Sequence, residues 1–108
     1  MALLKGTLDV LVLKALSWGP MHGFEITSWL EEYSGGRIGV TDAALLQALH
    51  RLEERGLVKG EWGLSEKNRR ARYYRLTAAG RAELRAQSAQ LLAYARAMTS
   101  ILTSATPA

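Results

Sequence analysis

The seventeen residues from Thr41 to Leu57, TDAALLQALHRLEERGL, constrain this chain more than any other stretch. Leu45, Ala48, Leu49 and Leu52 recur at the three-and-four spacing of one helix face, while Ala43, Gln47, His50, Arg51 and Glu54 fall on the other. Thr41 or Asp42 is placed to cap the first free N–H groups. Gly56 followed by Leu57 suits a left-handed C-terminal cap in which Leu57 folds back toward Leu52. The spacing therefore predicts a short, firmly bounded helix with one packing face and one outward face. Directly after it, LVKGEWGLSEKNRRARYYRLT reads as a strand, a basic turn and a second strand. That is the order of a recognition helix followed by a wing, so a nucleic-acid reader is the first expectation.

Charge supports the same expectation. Fourteen Lys plus Arg against ten Asp plus Glu leave a formal charge of +4. Lys67, Arg69, Arg70, Arg72 and Arg75 crowd together while the acidic residues are spread along the helices. A clustered excess of this kind fits a polyanionic partner. Over 108 residues, 48% hydrophobic and 22% charged, the chain reads as one domain with a modest core, near the size at which oligomerisation often adds burial. Cysteine is absent, which excludes a disulfide framework, a thiolate nucleophile and Cys-based zinc sites. The apolar N-terminal run is interrupted by Asp9 and Lys14 and is too short to cross a bilayer, so a soluble cytoplasmic protein without membrane association is expected.

From Lys5 to Trp18 the first helix carries Leu8, Leu11, Val12, Ala15 and Leu16 on one face, with Val10 and Leu13 apolar beyond it, so it asks for cover on two sides, expected from a second subunit more than from the core of so small a domain. Gly19 and Pro20 break the chain, and Pro20 suits the first turn of a second helix whose buried face is Ile26, Trp29, Leu30 and Tyr33. Gly35 and Gly36 end that helix, and Ile38 to Val40 is placed to add an edge strand to the later hairpin. The hairpin strands run roughly from Leu57 to Ser65 and from Arg70 to Leu76, with Val58, Trp62 and Leu64 on one face of the first and Asn68 in the turn. Thr77 caps a long last helix in which Leu84, Ser88, Leu91, Ala95, Met98 and Leu102 form a heptad seam, with Tyr94 and Ile101 beside it. The expected fold is mainly α with a small β-hairpin wing.

These segments together resemble the PadR-like transcriptional regulators over nearly the whole chain. LLKGTLDVLVLKAL at 3–16, GPMHGFEI at 19–26, LQALHRLEERGLV at 46–58 and RRARYYRLTAAGR at 69–81 carry the resemblance. It implies a winged helix-turn-helix unit over 1–77 and a C-terminal dimerisation helix with a frayed tail over 78–108. The implied protein is a sequence-specific DNA-binding regulator, a dimeric repressor relieved by a small molecule or stress signal. One departure stands out: the family commonly carries Gly-x-Leu-Tyr-Pro early in the recognition helix. Here Ala43, Ala44, Leu45, Leu46 and Gln47 occupy that place, so the tyrosine's contact to the DNA backbone does not transfer to Leu46.

The expected DNA-facing residues are Thr41, Ala43, Gln47, His50 and Arg51 on the helix and Lys67, Arg69, Arg70 and Arg72 on the wing. Gln47 suits adenine and Arg51 guanine in the major groove, while the wing cations suit phosphates or the minor groove. Dimerisation is expected through Leu8, Leu11, Leu84, Leu91, Ala95, Met98 and Leu102, and an effector pocket among Trp18, Trp29, Tyr33 and Tyr94. His22 with Glu25, and His50 with Glu54, are weak metal candidates, since zinc normally takes at least three protein ligands. His22 reads better as a structural contact near a helix start. No nucleophile motif, Gly-rich phosphate loop or paired acids are present, so neither catalysis nor a cofactor is expected. The competing classes are a winged-helix protein-interaction module and a metal-responsive regulator.

Overall fold

The computed structural model describes residues 6–107, so the expected helix start at Lys5 and the final tail residue Ala108 lie outside the described residues. Along the chain run α1 (Thr7–Leu16), α2 (Gly23–Tyr33), α3 (Asp42–Glu54), β1 (Val58–Leu64), β2 (Arg70–Leu76) and α4 (Ala78–Leu102). Four helices and one antiparallel hairpin make the fold mainly α. Among the described residues no helix is long and apolar enough to cross a membrane.

At the centre, α1 packs against α2, α3, β2 and α4, which explains why more than one stripe of it is apolar. Val12, Leu13, Ala15 and Leu16 are buried, while Leu8 and Leu11 sit half-buried at the core margin. Leu13 thus belongs to the core, although periodicity alone sets it off the main face.

Pro20 does not open α2. Met21 instead pairs with Tyr74, each N–H donating to the other's carbonyl at 3.0 and 2.9 Å. His22 then caps the helix: the Glu25 N–H donates to His22 Nδ1 at 3.3 Å, and the His22 N–H donates to Glu25 Oε1 at 3.1 Å. This reciprocal box satisfies two of the N–H groups that a helix start leaves free. Ile26 and Leu30 are buried, but Tyr33, expected on the same face, is 57% exposed because it lies at the helix's last turn beside Trp18 and Trp29. The segment from Ile38 to Val40 adds no strand. Met21 already occupies the free edge of β2, and the Ile38 N–H donates instead to Ser34 Oγ at 2.9 Å.

α3 has the bounds its sequence asks for. Thr41 Oγ1 accepts from the Ala44 N–H at 3.1 Å. At the other end Gly56 takes φ 72°, Leu57 N–H donates to Leu52 O at 2.9 Å, and Gly56 N–H donates to Glu53 O at 3.0 Å. This pair of bonds is the left-handed helix stop that glycine permits. Leu45, Ala48, Leu49 and Leu52 are buried, so the packing face is the predicted one. Truncating Leu52 to alanine would cost about 2–5 kcal/mol through lost burial and the cavity left behind.

In the hairpin Val58 faces Leu76 and Trp62 faces Arg72. Val58 is buried, yet Trp62 and Leu64 on the same side are 61% and 66% exposed, because the hairpin runs on past the core. The turn closes with Ser65 N–H donating to Arg69 O at 2.8 Å, and with Asn68 at φ 59°, a conformation asparagine tolerates.

α4 starts at a tight corner. Thr77 donates its N–H to Leu57 O at 3.1 Å and its hydroxyl to Gly56 O at 2.7 Å, while its Oγ1 accepts the Gly80 N–H at 3.0 Å. Gly80 is buried, and any Cβ there would overlap the Leu57 carbonyl. Beyond Leu91 every described residue is exposed. The radius of gyration is accordingly 16.0 Å, with extents of 63 × 28 × 21 Å, where a globular chain of this length has about 13 Å.

Gly80→Ala is expected to destabilise the fold by about 1–3 kcal/mol, because backbone rather than a flexible side chain meets the new methyl. Gly39→Ala, where a Cβ meets open space, should stay within about 0.5 kcal/mol of the parent. Urea unfolding of both variants separates the two outcomes.

Candidate nucleic-acid interface

With the packing face of α3 buried, Ala43, Leu46, Gln47, His50, Arg51 and Glu54 remain exposed. Thr41 stands at the N-terminus with its hydroxyl engaged in the cap. Gln47 makes no side-chain bond among the described residues, so its amide is free to donate and accept. His50 Nε2 lies 3.0 Å from Glu54 Oε1 in a solvent-exposed i, i+4 pair.

Arg51 departs from the expectation that it stands beside Gln47 as a second reader. Its Nη2 lies 2.7 Å from Asp9 Oδ1 and its Nε 3.4 Å from Asp9 Oδ2, so the guanidinium ties α3 to α1. Donating to the Asp9 carboxylate, aided by Coulomb attraction, raises the guanidinium pKa above its ordinary value, and Arg51 stays charged at any working pH. Sequence spacing places Arg51 one turn from Gln47 but carries no sign of a carboxylate arriving from α1.

Arg72 is likewise drawn inward. Its Nη2 donates to Glu53 Oε2 at 2.6 Å, and the same oxygen accepts the Gly60 N–H at 3.3 Å. The guanidinium also lies over the Tyr74 ring, 5.6 Å from its centre. Arg72 therefore braces the hairpin against α3 and does not stand free to hold a phosphate. Lys67 and Arg69 occupy the wing tip, exposed and with no side-chain partner among the described residues. Arg70 follows them, its guanidinium 4.4 Å from the centre of the Trp62 ring.

Gln47, His50, Lys67, Arg70 and Arg72 border two adjoining hollows. A groove of about 800 Å³ runs between α2, α3 and the hairpin, and Phe24, Leu46, Trp62, Lys67 and Arg70 are among its lining residues. A smaller hollow of about 370 Å³, lined by Gln47 and His50, shares Leu46, Arg72 and Tyr74 with it. The sequence places Trp62 on one strand face with Val58 and Leu64 but does not mark it, or Phe24, as part of a site. The signal for Trp62 is the hairpin register, which sets it diagonal to Arg70 and cannot be read before the strands are paired.

The aromatic candidates divide. Trp29 and Tyr33 stack at 4.5 Å, and Trp18 lies 5.6 Å from Tyr33 and 6.4 Å from Trp29. Tyr94 makes no ring contact among the described residues and is 55% exposed. It sits about 24 Å along α4 from the start of the helix, on the part that has left the body. His22 Nδ1 is engaged in the α2 cap, and among the described residues no three His, Cys, Asp or Glu side chains converge as metal ligands.

Residues 12–86 match the Transcriptional regulator PadR-like family. The chain is 45% identical over 73 residues to an uncharacterised 37.1 kDa protein in transposon TN4556 of Streptomyces fradiae, a match covering 68% of this chain and 19% of that longer protein. In structure it resembles a PadR family transcriptional regulator from Eggerthella lenta, with TM-score 0.77 and 29% identity over 94% of this chain and 86% of that one. Bacillus subtilis PadR, solved in complex with operator DNA, matches at TM-score 0.63 and 21% identity over 94% of this chain and 49% of its own.

The Asp9–Arg51 tie is testable as a coupling. Asp9→Ala and Arg51→Ala should each lower stability, and the double variant should lose about 0.2–1 kcal/mol less than the sum of the two. Strict additivity in urea unfolding would show that the pair contributes nothing.

Proposed function

We propose that this chain, which belongs to the PadR-like family of transcriptional regulators, binds double-stranded DNA as a homodimer and acts as a repressor. The observation that carries this reading is a pair of adjoining hollows: the one at the free face of α3, lined by Gln47 and His50, shares Leu46, Arg72 and Tyr74 with the groove lined by the wing cations Lys67 and Arg70. α3 is about 10–12 Å across with its side chains, a width the major groove admits. The wing then reaches the flanking backbone. Gln47 is the foremost base reader, with His50 and Ala43 beside it, and Thr41 lies where the helix start approaches a phosphate. The operator-DNA complex of the related B. subtilis PadR supports a duplex partner.

Dimerisation is supported by α4. Leu92, Tyr94, Met98, Ile101 and Leu102 are 40–75% exposed on a helix that projects from the body. A row of large apolar side chains in water marks an interface, and Leu91, Ala95, Met98 and Leu102 lie on its heptad seam. Leu8, Leu11 and Leu84 pack against the chain's own core, so they offer a partner only their half-exposed edges. Residues 1–77 then act as the DNA-binding unit and 78–108 as the dimerisation arm. Release from DNA by a small molecule or stress signal, in the cytoplasm, completes the reading. The aromatic cluster of Trp18, Trp29 and Tyr33 is the candidate effector site, without the chain's own Tyr94.

Met98→Asp should yield monomers in sedimentation at micromolar concentration while the far-ultraviolet spectrum stays helical, because Met98 lies outside the monomer core. A stable Met98→Asp dimer would remove this arrangement. Gln47→Ala should cost about 1–3 kcal/mol on a duplex selected from genomic fragments and leave random duplex almost unchanged. Equal losses on both duplexes would make Gln47 a backbone contact instead of a reader.

A further inference from the structure

On the groove side of the hairpin two arginines are handled in opposite ways. Arg72 stands opposite Trp62 in the register, but Glu53 draws its guanidinium inward. Arg70, one step nearer the wing tip, lies diagonal to Trp62 and rests on the indole at 4.4 Å from the ring centre. That distance is within cation–π range. Among the described residues the Arg70 side chain has no hydrogen bond or ion pair, so the indole supports the guanidinium while its N–H donors have no polar partner. Trp62 is itself 61% exposed, which is not what a ring kept for the core would show.

A guanidinium grips a phosphate through donors that lie in its own plane, and stacking on an aromatic ring leaves those donors free. An unsupported arginine gives up rotamer freedom when it makes such a contact. A stacked one has given up part of it beforehand, so binding is tighter for the same charge. The groove has two unlike walls. Glu25 and Glu32 on α2 repel a polyanion, whereas on the wing Lys67 and Arg70 outnumber the single acid Glu66, so the wing side is the more favourable for a DNA strand.

Resting on the DNA-binding reading above, we propose that Trp62 is a positioning residue for the nucleic-acid interface. It holds the Arg70 guanidinium flat against the wing so that its edge meets a backbone phosphate of the strand lying along the groove. Trp62 acts through Arg70 and adds no base contact of its own. This is a role that neither the recognition helix nor the count of wing charges supplies.

The test is a salt titration of binding to a mixed-sequence DNA duplex by the full chain and by Arg70→Ala, Arg70→Lys, Trp62→Ala, Trp62→Phe and the Trp62→Ala/Arg70→Ala double variant. Arg70→Ala should flatten the slope of log affinity against log salt by about 0.9, the value for one phosphate contact. Trp62→Ala should weaken binding about two- to fivefold with the slope unchanged, since the charge remains but its support is gone. Trp62→Phe should recover part of the loss, and Arg70→Lys should fall between the parent and Arg70→Ala. The double variant should bind like Arg70→Ala alone. A Trp62→Ala loss that persists in full on the Arg70→Ala background would overturn the proposal, as would a Trp62→Ala variant that binds like the parent. Thermal melts of each variant identify any loss that comes from unfolding, and Trp62→Phe keeps the test open if Trp62→Ala does not fold. A parent chain that retains no duplex DNA would instead overturn the reading on which the proposal rests.

Discussion

Three parts of the molecule meet at Leu57. Its N–H closes the end of α3 on Leu52, its carbonyl accepts the Thr77 N–H, and the first turn of α4 crosses it so closely that only glycine fits at position 80. Thr77 adds a second tie through Gly56. The end of α3, the base of the hairpin and the start of α4 are therefore locked in one corner by backbone hydrogen bonds, which do not slip as side-chain contacts can. The direction in which α4 leaves the body is set relative to α3 and the wing. In a symmetric dimer joined through α4, that one corner would fix how far apart two copies of α3 stand.

A second constraint decides which charges are left for a partner. Asp9 and Glu53 each capture an arginine, Arg51 on α3 and Arg72 on β2, and so brace α3 from both sides. Ion pairs this exposed contribute about 0–1 kcal/mol each, so their effect lies in orientation more than in stability. On α3 and the wing, the polar groups left uncommitted are fewer than the local charge suggests: Gln47 on the helix, Lys67 and Arg69 at the wing tip, and Arg70 on its indole support. On the proposed function, a rigid helix carrying neutral Gln47 and a basic turn carrying the charge would divide specificity from affinity.

Much of this was legible in the sequence wherever a local rule sufficed. The buried face of α3, a cap at Thr41 or Asp42, the Gly56 stop, the Asn68 turn and the Thr77 cap all follow from spacing and residue type within a few positions, and the fold selects Thr41. The failures are tertiary. Ile38 to Val40 has strand-like residues, but Met21 reaches β2 first, and a choice between two distant segments leaves no mark in either. Pro20 suits a helix start, yet the His22–Glu25 box two residues later satisfies more donors. Arg51 and Arg72 look like Arg69 and Arg70 in the chain, and only the folded positions of Asp9 and Glu53 tell them apart. Tyr94 is expected with Trp18, Trp29 and Tyr33 at a meeting of the first, second and last helices, but α4 carries it away from them.

The central claim is that two copies of this chain read DNA together through α3 and the wing. Hydroxyl-radical footprinting of the purified protein on duplexes selected from genomic fragments tests it most directly. The account predicts protected stretches related by a dyad on the two strands, with half-sites centred about one helical turn, roughly 34 Å, apart. A single protected half-site bound by one chain, or no protection on any selected duplex, would contradict it.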